Sequence, residues 1–309
     1  MPDTAFLMIV TPRDYEIARY AIPPLTRLVQ SSPNLQACIY CNGLSAQEVQ
    51  SISELVEALD RVVVRDNSEY LQSVREDMEI GKFRTENGST EVRQGFFETA
   101  PEVWSRELTQ LKADFVTIID PDFEILTEEF VHAMLREVAR ESELAFYSVY
   151  YAPETRMFES YAGEDAIIAE RWHTCFCVYR RAALCKYHDF SYFEERKDGL
   201  PFKYDHSAML QKILKEHHAY TGRSLNSQYY TQFVHYGAFA QNQSLTGCWL
   251  GLYRIICIAM HNGWNHKVHW GPITRAIRFG ARSVWRVLRL GRFDAERARY
   301  AYECDSSWQ

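Results

Sequence analysis

The chain has 309 residues, of which 47% are hydrophobic and 24% charged, which is ordinary for a soluble protein with a sizeable buried core. Its length accommodates one large domain, or one domain with an appendage. The net charge of -7 gives no general reason to expect nucleic acid as a partner. No stretch approaches the roughly 18 uninterrupted apolar residues of a membrane-spanning helix, so no such helix is predicted.

The first residues and the cysteines both indicate a cytoplasmic protein. The start of the chain, MPDT before a short apolar run, has neither the basic nor the long apolar region of a signal peptide, so none is expected. Eight cysteines are scattered along the chain, without the paired CxxC motifs of a zinc site. Cys38 and Cys41 form an isolated CxxC on an apolar run, and we expect them to be reduced core residues.

Strands and helices alternate in the first part of the sequence. In chain order, the patterns predict a strand at 5–10, a helix at 15–29, a strand at 35–40, a helix at 46–59 and a strand at 61–64. Pro23 and Pro24 are expected to kink or interrupt the first helix. This alternation predicts an α/β fold with an open, mostly parallel sheet flanked by helices.

The pattern of elements continues after a polar stretch. Residues 69–93 are charged and are predicted to form a loop with a short helix. The next predictions are a helix at 101–111, a strand at 115–119 and a helix at 127–141, with Thr127 as its N-cap. The last are strands at 144–151 and 174–179, a loop at 197–201, a helix at 204–217 and a strand at 229–236.

Paired carboxylates give the strongest chemical signal. Asp120 and Asp122, in the run FVTIIDPDFEIL, follow an apolar segment that is typical of a strand buried on both faces. In open α/β sheets, ligands bind at the carboxyl ends of such strands. Carboxylate oxygens suit Mg2+ or Mn2+, and these ions typically bridge protein and substrate phosphates. The alternative is a simple turn, because Asp and Pro are common turn residues.

With this motif, the chain resembles the glycosyltransferases of the GT-A fold, in particular the large family 2 group. Three elements carry the resemblance in the family's order: the DPD at 120–122, Asp205 in KYDH ahead of a helix, and His235 in FVHYG. The resemblance covers roughly residues 4–240. It implies a GT-A catalytic domain over 1–240, with a nucleotide-sugar-binding half at 1–122 and an acceptor-side half at 123–240. The remainder, 241–309, is expected to be a helical extension.

The resemblance also implies roles for these residues. Asp120, Asp122 and His235 would bind the metal, Mn2+ or Mg2+, and Asp120 would also contact the donor. Asp205 would be the catalytic base that removes a proton from the acceptor hydroxyl in an inverting transfer. Two alternatives stay open. Asp205 could be a helix N-cap, and His235 could be a strand histidine bonded to a carbonyl.

Residues that follow other strands are candidates for the nucleotide site. Thr11 and Pro12 end the first strand, and Asp66 and Asn67 end the third, so they should line the base and ribose pocket. Asn42 holds the place where the family usually carries an acidic nucleotide contact. Simple loop chemistry is the alternative explanation for all of them.

The C-terminal part contains a predicted basic amphipathic helix at 273–290. Such a helix suits an anionic membrane surface and a lipid-linked acceptor, and it would place the enzyme peripherally at the inner face of a membrane. The alternatives are packing on the catalytic domain and, less favoured, contact with a nucleic-acid backbone.

The chain departs from the family's motifs in two places. It has Tyr204-Asp205 where the family usually has a Glu-Asp pair, and it lacks the QxxRW motif of processive synthases. Single-sugar transfer is therefore expected.

Together these features predict a metal-dependent glycosyltransferase. It would move one sugar from a nucleoside-diphosphate sugar, with UDP favoured, to a glycan, lipid-linked or other hydroxyl acceptor. A nucleotidyltransferase is an alternative, but it would want a Gly-rich basic loop where residues 11–14 read TPRD. A non-catalytic carbohydrate- or membrane-binding protein would not need the two aspartates. No GxGxxG or P-loop motif occurs.

Overall fold

A computed structural model describes residues 2–12, 14–56, 59–67, 99–157, 165–236, 254 and 258. The chain divides into two compact units, Met1–Gly247 and Cys248–Gln309, and the description below concerns the first. The predicted loop at 69–93 and the predicted amphipathic helix at 273–290 lie outside the described residues. Within the described part of the chain, no helix is long and apolar enough to cross a membrane.

The secondary structure of the described residues comprises strands of two to seven residues and six α-helices. The strands are β1 Thr4–Val10, β2 Leu35–Cys41, β3 Val62–Asp66, β4 Phe115–Ile119, β5 Phe123–Ile125, β6 Leu144–Ser148, β7 Tyr151–Ala152, β8 Thr155–Met157, β9 Ala166–Ile168, β10 Arg171–Trp172, β11 Phe176–Arg180, β12 Phe193–Lys197, β13 Leu200–Tyr204, β14 Thr221–Ser224 and β15 Phe233–His235. The helices are α1 Tyr15–Ser31, α2 Ala46–Glu54, α3 Thr99–Gln110, α4 Glu129–Arg140, α5 Arg181–Leu184 and α6 Ala208–His218, with a 3-10 turn at Ser227–Tyr229.

A seven-stranded sheet in the order β14-β6-β11-β4-β1-β2-β3 forms the centre of this unit. Strands β4, β1, β2 and β3 run parallel, β11 is antiparallel to both its neighbours, and β14 is parallel to β6. The predicted α/β fold with a mostly parallel sheet is therefore confirmed. Because β4 is parallel to β1, β2 and β3, the carboxyl ends of these four strands lie along the same edge of the sheet.

Both faces of the sheet are covered, and this explains the continuous apolar strands. Successive side chains of a strand point to opposite faces. In β1, Phe6 and Met8 join one buried cluster, to which α1, α2 and α4 contribute. Leu7 and Ile9 join the other, which includes residues of α3 and α6. Every residue of β4 is buried, as its unbroken run of apolar and β-branched residues predicts.

The first helix differs from its prediction. It continues from Tyr15 to Ser31 through Pro23 and Pro24, so the two prolines do not interrupt it. Proline inside a helix costs about 3 kcal/mol. The apolar face of α1, with residues such as Ile22 and Leu25 fully buried, offsets that cost by packing on the sheet.

Other differences lie at element boundaries and in a missed hairpin. Helix α2 ends at Glu54, and α4 is preceded by Glu128 rather than by Thr127. The predicted loop at 197–201 is instead the tight turn of a β12–β13 hairpin. Asp198 and Gly199 both have positive φ there, the conformation that Asp-Gly turns favour between two strands. Strands β8 and β9 extend this hairpin into a four-stranded sheet.

Strand β14, at one edge of the main sheet, lies close to its neighbour β6. On β14, a Cβ atom at Gly222 would overlap the ring of Phe146 on β6, so only glycine lets the two strands approach this closely. The Phe146 ring in turn lies edge-on to Trp172, with 4.9 Å between centroids.

Elsewhere in the sheet, Cys38 and Cys41 are buried free thiols, which confirms that they belong to the core.

An aromatic cluster supports the short strands β5 and β15. Phe123 is fully buried and stacks on Phe233 across the strand pair, with 4.9 Å between ring centroids. It also contacts Phe176 at 5.0 Å and Phe130 at 6.3 Å. Since three-residue strands form few backbone hydrogen bonds, this apolar burial supplies most of what holds them together.

Truncation of Phe123 tests this packing. We expect Phe123→Ala to lower the free energy of unfolding by about 3 to 5 kcal/mol, because it removes a large buried ring from a closed cluster. Phe193→Ala, at a ring that is 45% exposed, should change it by less than about 1 kcal/mol. Urea denaturation followed by circular dichroism measures both, and equal losses in the two variants would contradict the role given to the cluster.

Candidate functional site

The DPD segment forms a tight turn at the carboxyl end of β4. The Asp120 backbone N–H donates to the carbonyl of Cys175 at 2.8 Å, and the Phe123 N–H donates to the Asp120 carbonyl at 3.0 Å. The segment is thus a turn, as its composition suggested, and it also gathers two carboxylates. Asp122 is buried with only 7% of its surface exposed, which is unusual for a turn aspartate.

His235 reaches this turn through the pairing of β15 with β5. The pairing is antiparallel and places His235 opposite Phe123. The Tyr236 N–H then donates to the Asp122 carbonyl at 3.0 Å, which closes the strand end onto the turn. His235 Nε2 lies 3.3 Å from Asp122 Oδ1, so its ring faces a carboxylate and not a carbonyl. One candidate ligand atom each from Asp120, Asp122 and His235 lies within 4.8 Å of the others.

The electrostatics of this cluster suit a divalent cation. Burial, together with the charge of Asp122, raises the pKa of Asp120. Burial alone would lower the pKa of His235, but the charges of Asp122 and Asp120 and the hydrogen bond to Asp122 outweigh it, and the net pKa is raised. Enclosed carboxylates that repel one another are stabilised by a positive charge between them. Two carboxylates and an imidazole form a donor set that fits Mn2+ or Mg2+.

Asp205 lies in the turn between β13 and α6. It is near enough to Asp120 for its charge to raise the pKa of that carboxyl, after larger effects of burial and Asp122. Asp205 Oδ2 is 3.3 Å from Arg171 Nε, and Oδ1 accepts the His206 N–H at 2.8 Å. The side chain remains 47% exposed. Helix α6 begins at Ala208 with Ser207 in the N-cap position, so the proposal that Asp205 caps this helix is wrong.

Three further residues of the site were not predicted from the sequence. Arg171 on β10 pairs with Asp205, and His173 follows it closely enough for its pKa to respond to Arg171, His235 and Asp205. Asp14 is buried at the start of α1, where its charge acts on Asp120. The Thr11-x-x-Asp14 spacing after the first strand was a readable signal for Asp14. Nothing local marks Arg171 or His173, which only the sheet order brings to the site.

The loops that follow β1, β2 and β3 meet along the same edge as the DPD turn. The Asn42 N–H donates to the Val10 carbonyl at 2.8 Å, and the Asn67 N–H donates to the Cys41 carbonyl at 2.9 Å. The Asn67 side-chain amide also donates to Asn42 Oδ1 at 2.9 Å. Asn42 itself is fully buried, so it braces Asn67 and does not face the open edge.

The other predicted nucleotide residues occupy this edge in different ways. Pro12 and Asp66 are exposed, and Thr11 is partly exposed. The Thr11 hydroxyl donates to Asp14 Oδ2 at 2.7 Å, which ties the loop after β1 to the start of α1. The parallel order β4-β1-β2-β3 sets these loops in a row that begins at the turn of Asp120 and Asp122.

The thiol of Cys175 lies close enough to Asp120 and Asp122 for their charges to act on it. Burial, and then those charges, raise its pKa well above the ordinary value.

The chain is similar to solved structures of glycosyltransferases. No protein-family model and no curated protein matches it. The mannosyltransferase PcManGT from Pyrobaculum calidifontis, in complex with GDP-Man and Mn2+, is 13% identical, with 99% of this chain and 84% of that chain covered and a TM-score of 0.43. Mouse xyloside xylosyltransferase 1 is 13% identical over 60% and 69% of the two chains, with a TM-score of 0.37. The Mycobacterium tuberculosis glucosyl-3-phosphoglycerate synthase, with Mn2+, UDP and phosphoglyceric acid, is 10% identical over 73% and 68%, with a TM-score of 0.40. The function proposed below rests on the geometry of the site and not on these similarities.

His173 predicts how stability depends on pH. Burial, with the charge of Arg171, lowers the pKa of His173 to about 3 from its ordinary 6.5. Between these values the unfolded chain binds a proton that the folded chain does not. The free energy of unfolding should therefore fall as pH falls from about 6.5, by up to about 1.4 kcal/mol per pH unit.

The variant His173→Gln isolates this contribution. The difference in unfolding free energy between wild type and His173→Gln should narrow as the pH is lowered through this range. Gln228→Ala, at an exposed residue that carries no titratable group, should keep a constant difference from wild type. Urea denaturation at several pH values measures both, and parallel curves for His173→Gln and wild type would contradict the assignment.

Proposed function

We propose that this chain is a metal-dependent glycosyltransferase that moves a single sugar from a nucleoside-diphosphate sugar to a hydroxyl acceptor. The observation that carries the proposal is the cluster of Asp120, Asp122 and His235 at the carboxyl end of the central strand. It stands at one end of a row of loops from parallel strands, the edge at which α/β folds bind ligands. Asp205, a further carboxylate, lies near enough for its charge to act on Asp120.

Metal binding follows from the donor set. Asp120 and Asp122 would hold the cation, Mn2+ or Mg2+, through carboxylate oxygens, and His235 would hold it through its imidazole in the neutral form. When bound, the cation supplies charge neutralisation for the diphosphate of the donor and of the leaving nucleotide. The nucleoside of the donor lies along the loops that carry Thr11, Pro12, Asp66 and Asn67. We favour uridine as this nucleoside.

Asp205 is the residue that we assign as catalytic base. The acceptor oxygen forms a bond to the anomeric carbon, the bond from that carbon to the diphosphate oxygen breaks, and Asp205 takes the hydroxyl proton. Arg171 and the His206 N–H each contact one Asp205 oxygen and fix the carboxylate, while its exposed part leaves room for an acceptor. Attack from the face opposite the leaving group inverts the anomeric configuration.

The setting of the enzyme is also part of the proposal. We infer a cytoplasmic protein whose acceptor is a glycan, a lipid-linked molecule or another hydroxyl compound. The segment 273–290, outside the described residues, is the candidate for peripheral contact with the inner face of a membrane.

Nucleotide titration tests the metal site. We expect UDP or GDP to bind the wild-type protein in the presence of Mn2+, and Asp122→Asn to weaken that binding at least about tenfold, because the carboxylate ligand is lost. Asp114→Asn, at the exposed opposite end of β4, is the matched control and should bind as wild type does. Isothermal titration calorimetry with and without Mn2+ measures this. Nucleotide binding that does not depend on Mn2+ would contradict the assignment of the metal site to these residues.

A second variant tests the base. Asp205→Asn should lower kcat for sugar transfer by about 10²- to 10⁴-fold and leave Mn2+-dependent nucleotide binding intact, since only proton removal is lost. Asp198→Asn, in the exposed hairpin turn, should transfer at the wild-type rate. Product analysis by NMR reports the anomeric configuration. Retained configuration would exclude this role for Asp205, and release of pyrophosphate in place of a nucleoside diphosphate would indicate a nucleotidyltransferase.

A further inference from the structure

Gln211, on α6, is a polar residue in the core of the protein, with 1% of its surface exposed. An amide that is withdrawn from water loses its hydrogen bonds to solvent, so the protein must replace them. The Gln211 amide makes these bonds to three residues, which are Trp172, Tyr179 and Ser207. Its contacts therefore reach both segments that carry the charged pair of the candidate site.

On the side of β10, Gln211 binds both backbone groups of Trp172. Its amide oxygen accepts the Trp172 N–H at 2.9 Å, and its amide nitrogen donates to the Trp172 carbonyl at 2.8 Å. Strand β10 has only two residues and pairs with β7, which is equally short. The Gln211 side chain thus bonds Trp172 as a neighbouring strand would in a wider sheet. The same contacts hold Arg171, which is the other residue of β10.

On its other side, Gln211 contacts the turn that begins at Asp205. The Ala208 N–H closes this turn by donating to the Asp205 carbonyl at 2.8 Å. Ser207, the third residue of the turn, has a φ of 73°, and turns usually place glycine where φ is positive. The Gln211 amide nitrogen donates to Ser207 Oγ at 3.1 Å. Glycine would adopt this φ without strain but has no hydroxyl, so the contact with Gln211 explains the serine.

Tyr179, on β11, joins the two sides of this network. The Gln211 amide nitrogen lies 3.1 Å from the Tyr179 hydroxyl, and Ser207 is hydrogen-bonded to the same hydroxyl. Tyr179 is fully buried, and β11 pairs with both β4 and β6 in the main sheet. A buried polar network whose members all have partners is rigid. The turn of Asp205 is thereby tied to the centre of the sheet.

We propose that Gln211 is a positioning residue for Asp205. Arg171 and Asp205 come from different elements, and Gln211 binds the residue after Arg171 and the second residue after Asp205. One buried amide thus sets the distance between the two charged groups, which is 3.3 Å from Arg171 Nε to Asp205 Oδ2. The description of Asp205 as a base rests on the proposed function, whereas its positioning by Gln211 rests on these contacts alone.

Amide hydrogen exchange tests the positioning without substrate or metal. The His206 N–H donates to Asp205 Oδ1 at 2.8 Å, so its exchange rate reports whether the carboxylate stays in place. Gln211→Met keeps the length of the side chain and removes its hydrogen-bonding groups. We expect it to raise the exchange rate of the His206 amide about tenfold, as measured by NMR on the full chain. Ser207→Ala removes only the contact with the turn and should raise the rate in the same direction.

A variant elsewhere in the core separates this effect from a general loss of stability. Val138 is fully buried on α4 and belongs to the cluster on the other face of the sheet from Gln211. Val138→Ala lowers stability by opening a small cavity there. It should leave both the His206 exchange rate and kcat for sugar transfer near their wild-type values.

A double-mutant cycle tests the connection to the reaction. Gln211→Met should lower kcat for sugar transfer by about 10- to 100-fold, because the base is displaced from the acceptor hydroxyl. Mn2+-dependent nucleotide binding should stay unchanged. In the Asp205→Asn background, Gln211→Met should have little further effect on kcat, since the group that it positions is already absent.

Three results would overturn the proposal. The first is a wild-type rate of His206 exchange in Gln211→Met, or in Ser207→Ala if Gln211→Met does not fold. The second is an equal rise in that rate in Val138→Ala. The third is a loss of kcat in Gln211→Met by the same factor with and without the Asp205 carboxylate. If the wild-type chain transfers no sugar, the proposed function fails, and the His206 exchange rate still decides whether Gln211 positions Asp205.

Discussion

The pairing of β15 with β5 is the contact on which the candidate site depends, because it brings His235 to a turn that lies far earlier in the chain. Two strands of three residues form few backbone hydrogen bonds, and closing the long intervening segment costs conformational entropy. Burial of stacked rings offsets that cost, with Phe123 and Phe233 in face-to-face contact across the pair. The positions of the three candidate metal ligands therefore depend on the packing of this aromatic cluster.

The fold also brings like charges together, and their repulsion lowers the stability of the folded state. Asp120 and Asp122 repel one another in an enclosed setting, and His235 compensates part of that repulsion. Arg171 compensates Asp205 in a separate pair. Groups held in unfavourable surroundings are typical of sites that are completed by a ligand, because the ligand supplies the missing charge.

Sequence reasoning recovered what depends on local pattern. The buried run of β4 and its terminal aspartates were readable because an apolar strand and its polar end are adjacent in sequence. The contact between His235 and Asp122 was reached through motif order, since spacing alone could not show it. Arg171 and His173 were missed because their neighbours come from other strands. Asn42 was assigned to the nucleotide edge, but the structure buries it, and burial of a polar residue is decided by packing that a pattern does not encode. The Asp198-Gly199 turn is itself a local signal, because Asp-Gly between two strands is typical of a hairpin.

The close approach of β14 to β6 has a consequence for how related sequences can vary. Gly222 leaves space for the Phe146 ring, and that ring in turn lies edge-on against Trp172 on β10. A larger residue at position 222 displaces the ring toward Trp172, unless position 146 becomes smaller at the same time. Positions 222, 146 and 172 are thus expected to covary, so that an edge strand influences the packing of residues on two other strands.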